Sequence, residues 1–269
     1  MTTAIPNPGL GTFRLKGDAL KSAVTESLDL GYRHMDTAQI YENEGEIGDL
    51  LSASGIDRSE LFITTKVWYE NLARDKFIPS VRESLTRLRT DYVDLLLIHW
   101  PSPGEEVPMQ EYIAELVEAK KLGLAREIGI SNFTIEQVKH AIGIAGKGEI
   151  LTNQVEVHPF LQNDAVVKFC QRNGIEVTGF MPLAVGKVLE DDTLRKIAEN
   201  HNTRIPEVVL AWLRQRNIVA IPSSTKRTHL ASNLTGMDLV LSDKELSEIA
   251  MLDSNHRIAD PDFAPIWDQ

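Results

Sequence analysis

One cysteine in 269 residues, Cys170, leaves no second thiol for an intrachain disulfide and no thiolate cluster for zinc or an iron–sulfur centre. It sits in AVVKFCQRNG among apolar residues at helical spacing, and reads as a small core side chain. Basic charge is scarce as well. The 28 Lys and Arg against 39 Asp and Glu give a formal charge of −11, the wrong sign for a general nucleic-acid binder, which must neutralise phosphates. No apolar run approaches the roughly 20 residues that span a bilayer, and no charged leader followed by a long apolar stretch opens the sequence. The expectation is therefore a cytoplasmic protein that binds neither membrane nor nucleic acid. Standard motifs are missing too. There is no HExxH, no Cys/His cluster, no G-x-S-x-G elbow and no Walker loop, and Gly9-Leu10-Gly11 opens no G-x-G-x-x-G because residue 14 is Arg.

What is present is an alternation of short apolar runs with amphipathic stretches, unbroken by any linker or charge block. Leu20, Ala23, Val24 and Leu28 follow helical spacing, and Tyr32 to Asp36 reads as a strand. Leu61 to Lys66 is β-branched, and Val93 to Ile98 is almost continuously apolar, as in a parallel strand covered on both faces. Helices over 111–122, 135–145, 164–173, 192–201 and 206–216 alternate with strands near 126–130, 152–157, 176–180 and 218–221, and helices near 229–237 and 243–252 close the chain. With a first short strand at Gly9 to Phe13 the count reaches eight strands. Such alternation implies parallel pairing with right-handed crossovers. Eight units in this length predict a (β/α)8 TIM barrel, a single domain over 1–269 with short loops. An open doubly wound sheet is the rival reading.

Active sites of such barrels lie at the carboxyl ends of the strands, and the chemistry-bearing residues fall there. Asp36 ends strand two, Tyr41 follows it, Lys66 ends strand three, His99 ends strand four, and Ser131-Asn132 end strand five. Gln154 and Glu156 lie on strand six. Each alone has an ordinary explanation as a cap or a satisfied core group; together they converge on one mouth. A lysine beside an aspartate stays cationic. That cation near a tyrosine favours the phenolate and makes the phenol a usable general acid. A neutral histidine could hydrogen-bond and orient a carbonyl. Protonating a carbonyl oxygen is half of a reduction. The other half is a hydride, which no side chain supplies, so a cofactor is implied. The run Ile221-Pro222-Ser223-Ser224-Thr225-Lys226-Arg227 joins a strand end, hydroxyls, two cations and a helix start, which suits a phosphate, although a solvated loop has the same composition.

The segments GLGTF (9–13), YRHMDTAQIYENE (32–44), ITTKVW (63–68), DLLLIHWP (94–101), REIGISNF (126–133), NQVEVHPF (153–160) and IPSST (221–225) resemble, in order, the aldo-keto reductases, and within them the short bacterial branch that reduces 2,5-diketo-D-gluconate and methylglyoxal. The resemblance implies a barrel that reduces small carbonyl compounds with NADPH, as a monomer. It implies Tyr41 as proton donor, Lys66 lowering its pKa, Asp36 pairing with Lys66, and His99 orienting the carbonyl. It places the nicotinamide carboxamide on Ser131, Asn132 and Gln154, and the ring on Phe180, a tyrosine in many relatives. Thr12 joins the cofactor set, with Ser224 and Thr225 at the adenosine phosphates and Asn233 at the adenine. Where the family commonly has Lys and Arg in this loop the chain has Ser223 and His229, so Lys226 and Arg227 are the expected discriminators of NADPH. Phe13, Trp68 and Trp100 would wall the substrate pocket. The short loop after His99 and the short C-terminal tail predict a shallow, open pocket for small dicarbonyls and keto acids, with no cation placed in it by the motifs. Two other readings remain: a Schiff-base aldolase with Lys66 as nucleophile, which Asp36 opposes, and a cofactor-binding regulatory subunit.

Overall fold

The computed structural model describes residues 4–268. Eight strands, β1 (Leu10–Gly11), β2 (His34–Asp36), β3 (Phe62–Val67), β4 (Val93–Ile98), β5 (Ala125–Ser131), β6 (Ile150–Glu156), β7 (Glu176–Phe180) and β8 (Ile218–Ala220), run parallel and pair in chain order. The two ends of that order meet. The Gly9 amide donates to the Ala220 carbonyl and the Gly11 amide to that of Pro222, both at 2.9 Å, so β1 lies against β8 and the sheet closes. Closure decides for the barrel over the open sheet. Around it run α1 (Gly17–Leu30), α2 (Glu44–Ala53), α3 (Arg74–Leu88), α4 (Met109–Lys121), α5 (Ile135–Ala145), α6 (Asp164–Arg172), α7 (Asp192–Asn200), α8 (Ile205–Gln215), α9 (Arg227–Thr235) and α10 (Asp243–Ala250). None of the described helices is long and apolar enough to cross a membrane.

Strand β1 is shorter than the predicted 9–13 for a local reason. The Thr12 hydroxyl donates to the Asp36 carbonyl at 2.8 Å, and Arg14 turns into the left-handed region at φ 65°, so the chain leaves the sheet after Gly11. The helices carry the apolar stripes that cover the barrel: Leu20, Ala23, Val24 and Leu28 on α1 are all buried. In α3 Phe77, with Val81, Leu85 and Leu88, takes the buried stripe while Ile78 is only partly covered. The contact between α2 and α3 is close enough that a Cβ at Gly48 would stand 2.4 Å from the Arg87 carbonyl oxygen. Cys170 is buried in the core, as expected.

Strand alternation divides the barrel into floor and mouth. On β4, Leu95 and Leu97 point inward with Ile5, Phe62, Leu151 and Val219 as a small apolar floor, while Leu96 and Ile98 on the other face join the larger core that the helices cover. On β3 the face that begins with Phe62 in the floor continues through Thr64 to Lys66 at the mouth. Strand β6 reaches the same end by a different route: its register with β5 slips by one residue between Ile150 and Asn153. That extra residue resets the alternation, so that Ile150 and Val155 pack outward and Gln154 and Glu156 point in.

Candidate active site

At the mouth, the side chain of Lys66 is fully buried and that of Asp36 nearly so. The Lys66 ammonium donates to Asp36 Oδ1 at 2.5 Å, to the Thr37 carbonyl at 2.8 Å and to Tyr41 Oη at 3.4 Å. The other Asp36 oxygen accepts from Gln154 Nε2 at 2.8 Å. All three ammonium hydrogens are thus in use, and the aspartate is satisfied from two strands, as a buried ion pair requires. The Tyr41 ring lies edge-on to His99 with centroids 5.5 Å apart, and Trp68 is edge-on to His99 at 5.2 Å. The Asn132 amide donates to the His99 carbonyl at 3.0 Å and to Ser131 Oγ at 3.1 Å, and Ser131 Oγ donates to the Gln154 carbonyl at 2.8 Å. Asn132 sits at φ 63°, a conformation asparagine tolerates better than most residues.

Burial sets the protonation states. It pushes the Tyr41 phenol above its usual 10, with the Lys66 charge pulling the other way and losing. The predicted lowering by Lys66 is therefore present but outweighed, and the phenol keeps its proton at neutral pH. Burial would also discharge Lys66, but Asp36 and Tyr41 together more than compensate and its pKa stands above the usual 10.5. His99 is held well below 6.5, first by burial and then by Lys66, so its imidazole is neutral. Its Nδ1 is buried without a partner. The raised Lys66 pKa opposes a Schiff-base role for that lysine, which needs a free amine.

These groups open on a cavity of about 550 Å³. Thr12, Phe13, Asp36, Tyr41, Trp68, His99, Trp100, Ser131, Asn132, Gln154 and Phe180 all line it, so most of the sequence-selected set is brought together. A second cavity of about 410 Å³ shares Leu183 and Ser223 with the first and is lined by Ser224 and Asn233. Thr225, Lys226 and Arg227 are placed outside both linings. Arg227 is paired with Glu26 and, at 3.6 Å, with Asp29. Lys226 is exposed at the N-terminal end of α9, with no carboxylate partner among the described residues. The cations that do line the second cavity are Arg195, paired with Asp192, and Arg204, paired with Glu207 at 3.0 Å, and Glu199 and His229 share the lining. The joined cleft, with amides and hydroxyls at the strand ends and cations and a helix start at the far end, fits a dinucleotide. Among the described residues no group of three His, Cys, Asp or Glu is placed to hold a metal ion.

Several functional contacts were not visible in the sequence. Gln39 fixes the turn that carries Tyr41: its Oε1 accepts from the Trp68 amide at 2.9 Å and Asn71 at 3.0 Å, and its Nε2 donates to Ser80 Oγ at 3.1 Å. The rim cation missing from the motifs is Arg14, whose guanidinium lies 4.9 Å from the Phe13 ring centroid. The C-terminal tail, expected to leave the pocket open, instead walls it with Ala259, Pro261 and Phe263. Phe263 packs edge-on against Trp68 at 5.9 Å and Trp100 at 5.5 Å. The aromatic spacing in PDFAPIW was the only available signal, and it names no partner.

A sequence profile of the aldo/keto reductase family matches residues 9–254, and the chain belongs to that family. It is an NADP-dependent oxidoreductase that reduces carbonyl groups. Methylglyoxal reductase DkgB of Yersinia pestis is 53% identical over 266 residues, covering 98% of this chain and 100% of the relative. DkgB of Salmonella typhi is 52% identical over 265 residues, covering 98% and 99%. A solved structure named only provisionally as a 2,5-diketo-D-gluconic acid reductase B superposes with a TM-score of 0.94 at 42% identity, over 98% of this chain and 94% of that one. A Bombyx mori aldo-keto reductase in complex with NADP superposes at 0.88 with 33% identity, over 95% and 92%.

Proposed function

We propose that the chain reduces the aldehyde or ketone of small dicarbonyls and keto acids, methylglyoxal and 2,5-diketo-D-gluconate among them, with Tyr41 as the proton donor. The observation that carries this reading is the Lys66 ammonium held between Asp36 and Tyr41 Oη at the floor of an aromatic-walled cleft. NADPH, when bound, supplies the hydride. Ser131, Asn132 and Gln154 are the groups that would hold its carboxamide, Phe180 offers the ring a stacking face, and Thr12 borders the same wall. Ser224, Thr225 and Asn233 serve the adenosine end.

The chain's own residues carry the proton. Neutral His99 donates to the carbonyl oxygen and aims it at Tyr41, which its low pKa permits without a competing charge. Tyr41 Oη then gives its proton to that oxygen as negative charge develops there. The Lys66 ammonium, 3.4 Å away, stabilises the phenolate left behind. Asp36 keeps Lys66 charged and aimed. Because the resting phenol is protonated at neutral pH, Tyr41 enters the reaction with a proton to give, and the Lys66 ammonium offsets the weakening of the acid by burial. Phe13, Trp68, Trp100 and Phe263 press apolar faces on the substrate, and Arg14 at the rim balances negative charge on the cofactor or on a keto acid. For the 2′-phosphate, Arg227 is engaged by Glu26 and Asp29, so Lys226 is the discriminating cation of the pair.

The test is NADPH oxidation followed at 340 nm with methylglyoxal, 2,5-diketo-D-gluconate and a bulky steroid ketone. Turnover with the first two and little with the third is the expected outcome. Efficient turnover of the steroid alone would overturn the substrate class.

A further inference from the structure

Among the described residues, Glu156 is a buried carboxylate of the barrel that the proton path leaves unused. It ends β6, paired in register with Phe180, and is wholly buried. An ionised carboxylate there must be satisfied completely. Two of its three partners come from the far end of the chain. Oε1 accepts from the backbone amide of Ile258 at 2.8 Å and from His158 Nε2 at 2.8 Å, and Oε2 accepts from the amide of Ala259 at 2.6 Å. The Glu156 carbonyl accepts from Asn163 Nδ2 at 2.6 Å, and Asn163 Oδ1 in turn accepts from Arg257 of the tail at 3.1 Å. Two adjacent backbone N–H groups on one buried carboxylate make charge-assisted bonds, about twice as strong as neutral ones.

What those bonds hold is the pocket wall. Ala259 itself lines the substrate cavity, and Pro261 and Phe263 follow it. Beyond them, Trp267 packs on Trp100 at 6.0 Å and donates its indole N–H to Asp260 at 2.8 Å, and Asp268 accepts from the Ile135 amide at 2.8 Å. Residues 258–268 contain no helix or strand, so their position rests on side-chain and local contacts such as these. Of these polar groups that hold the tail, the Glu156 carboxylate is wholly buried.

We propose that Glu156 is a positioning residue for substrate, acting through the tail: its carboxylate latches residues 258–259 and thereby sets Phe263 against Trp68 and Trp100. The latch confines the pocket to small carbonyl compounds, a role that rests on the proposed substrate class. The remote adenosine end of the cleft is untouched by it.

Two readouts test this. In the wild-type protein, hydrogen exchange should show the Ile258 and Ala259 amides protected like strand amides, although they lie outside any helix or strand; rapid exchange there overturns the latch without any variant. In Glu156→Gln, tail amides 258–268 should exchange at least about tenfold faster. The KM for methylglyoxal should rise about tenfold, with kcat within about twofold and the Kd for NADPH unchanged by fluorescence titration. Phe263→Ala should raise the same KM, and the double variant should be no worse than the worse single. Unchanged tail exchange in Glu156→Gln, or a loss of kcat or of NADPH affinity with KM unmoved, contradicts the proposal. Should Glu156→Gln not fold, wild-type exchange and Phe263→Ala decide. Should methylglyoxal not be a substrate at all, the exchange result still stands alone, and only the substrate class falls.

Discussion

Removing the Lys66 charge separates what the buried ion pair does for chemistry from what it does for the fold. At the 3.4 Å that separates Nζ from Tyr41 Oη, a full phenolate charge is stabilised by about 5 kcal/mol at an effective dielectric constant of about 20. If roughly half of that charge has developed when the proton is in flight, about 2.5 kcal/mol of barrier is at stake, close to 10²-fold in rate. Lys66→Met keeps the length of the side chain but leaves Asp36 buried with only Gln154 as donor. Breaking a buried pair from one side costs about 3–5 kcal/mol of stability. Replacing both partners, as in Asp36→Leu with Lys66→Met, removes the stranded charge and should regain part of that loss. The remaining deficit is about 1–3 kcal/mol for each of the two polar groups left without a partner, the Gln154 amide and the Thr37 carbonyl. The expected pattern is a single variant that is unstable and slow, and a double variant that is more stable than the single and equally slow. Urea unfolding and NADPH oxidation at saturating methylglyoxal measure the two quantities. A double variant with near wild-type turnover would refute the reasoning, because it would show that the cation is needed only to neutralise Asp36.

Other outcomes follow from the same geometry. Tyr41 must be protonated to act and His99 neutral; the first stands above 10 and the second well below 6.5, so kcat for reduction should be flat through neutral pH and fall only on the far alkaline or acid side. Stability should behave differently: buried His34 and His99 have lowered values when folded, the unfolded chain binds protons near 6.5 that the native state refuses, and thermal stability should fall as pH drops below about 6.5 by up to about 1.4 kcal/mol per pH unit for each. Lys226→Ala should raise the KM for NADPH about tenfold and leave that for NADH nearly unchanged, whereas Arg227→Ala, already committed to Glu26, should do little; equal effects on both cofactors would contradict the assignment. Gly48→Ala forces a Cβ to within 2.4 Å of the Arg87 carbonyl and should cost about 3 kcal/mol, roughly 5 °C in melting temperature.

The barrel was legible because its signal is periodic. Continuous apolar strands such as 93–98 and striped helices such as α1 leave little choice once eight of them alternate. The convergence of Asp36, Tyr41, Lys66 and His99 on one mouth was legible because strand ends are where such barrels place chemistry, and Asp36, Lys66 and His99 each lie within one residue of a strand end. What escaped was long-range or geometric. Nothing in Gln39 announces that it braces the turn of Tyr41, since its partners lie 29 to 45 residues away. The balance of burial against Lys66 at Tyr41 depends on depth, which spacing does not encode. The tail was read as short and therefore open; in the fold it is short and folded over the mouth, because Glu156, more than 100 residues earlier, accepts its amides. The Arg227 pairing likewise depends on Glu26 of α1, which only barrel closure brings beside α9.

The central claim is that Tyr41 Oη delivers the proton to the carbonyl oxygen, and Tyr41→Phe tests it most directly. Single-turnover oxidation of bound NADPH by methylglyoxal should slow by at least about 10³-fold in the variant, while the Kd for NADPH, read from tryptophan fluorescence, stays within about twofold. Undiminished single-turnover oxidation by Tyr41→Phe would contradict the account.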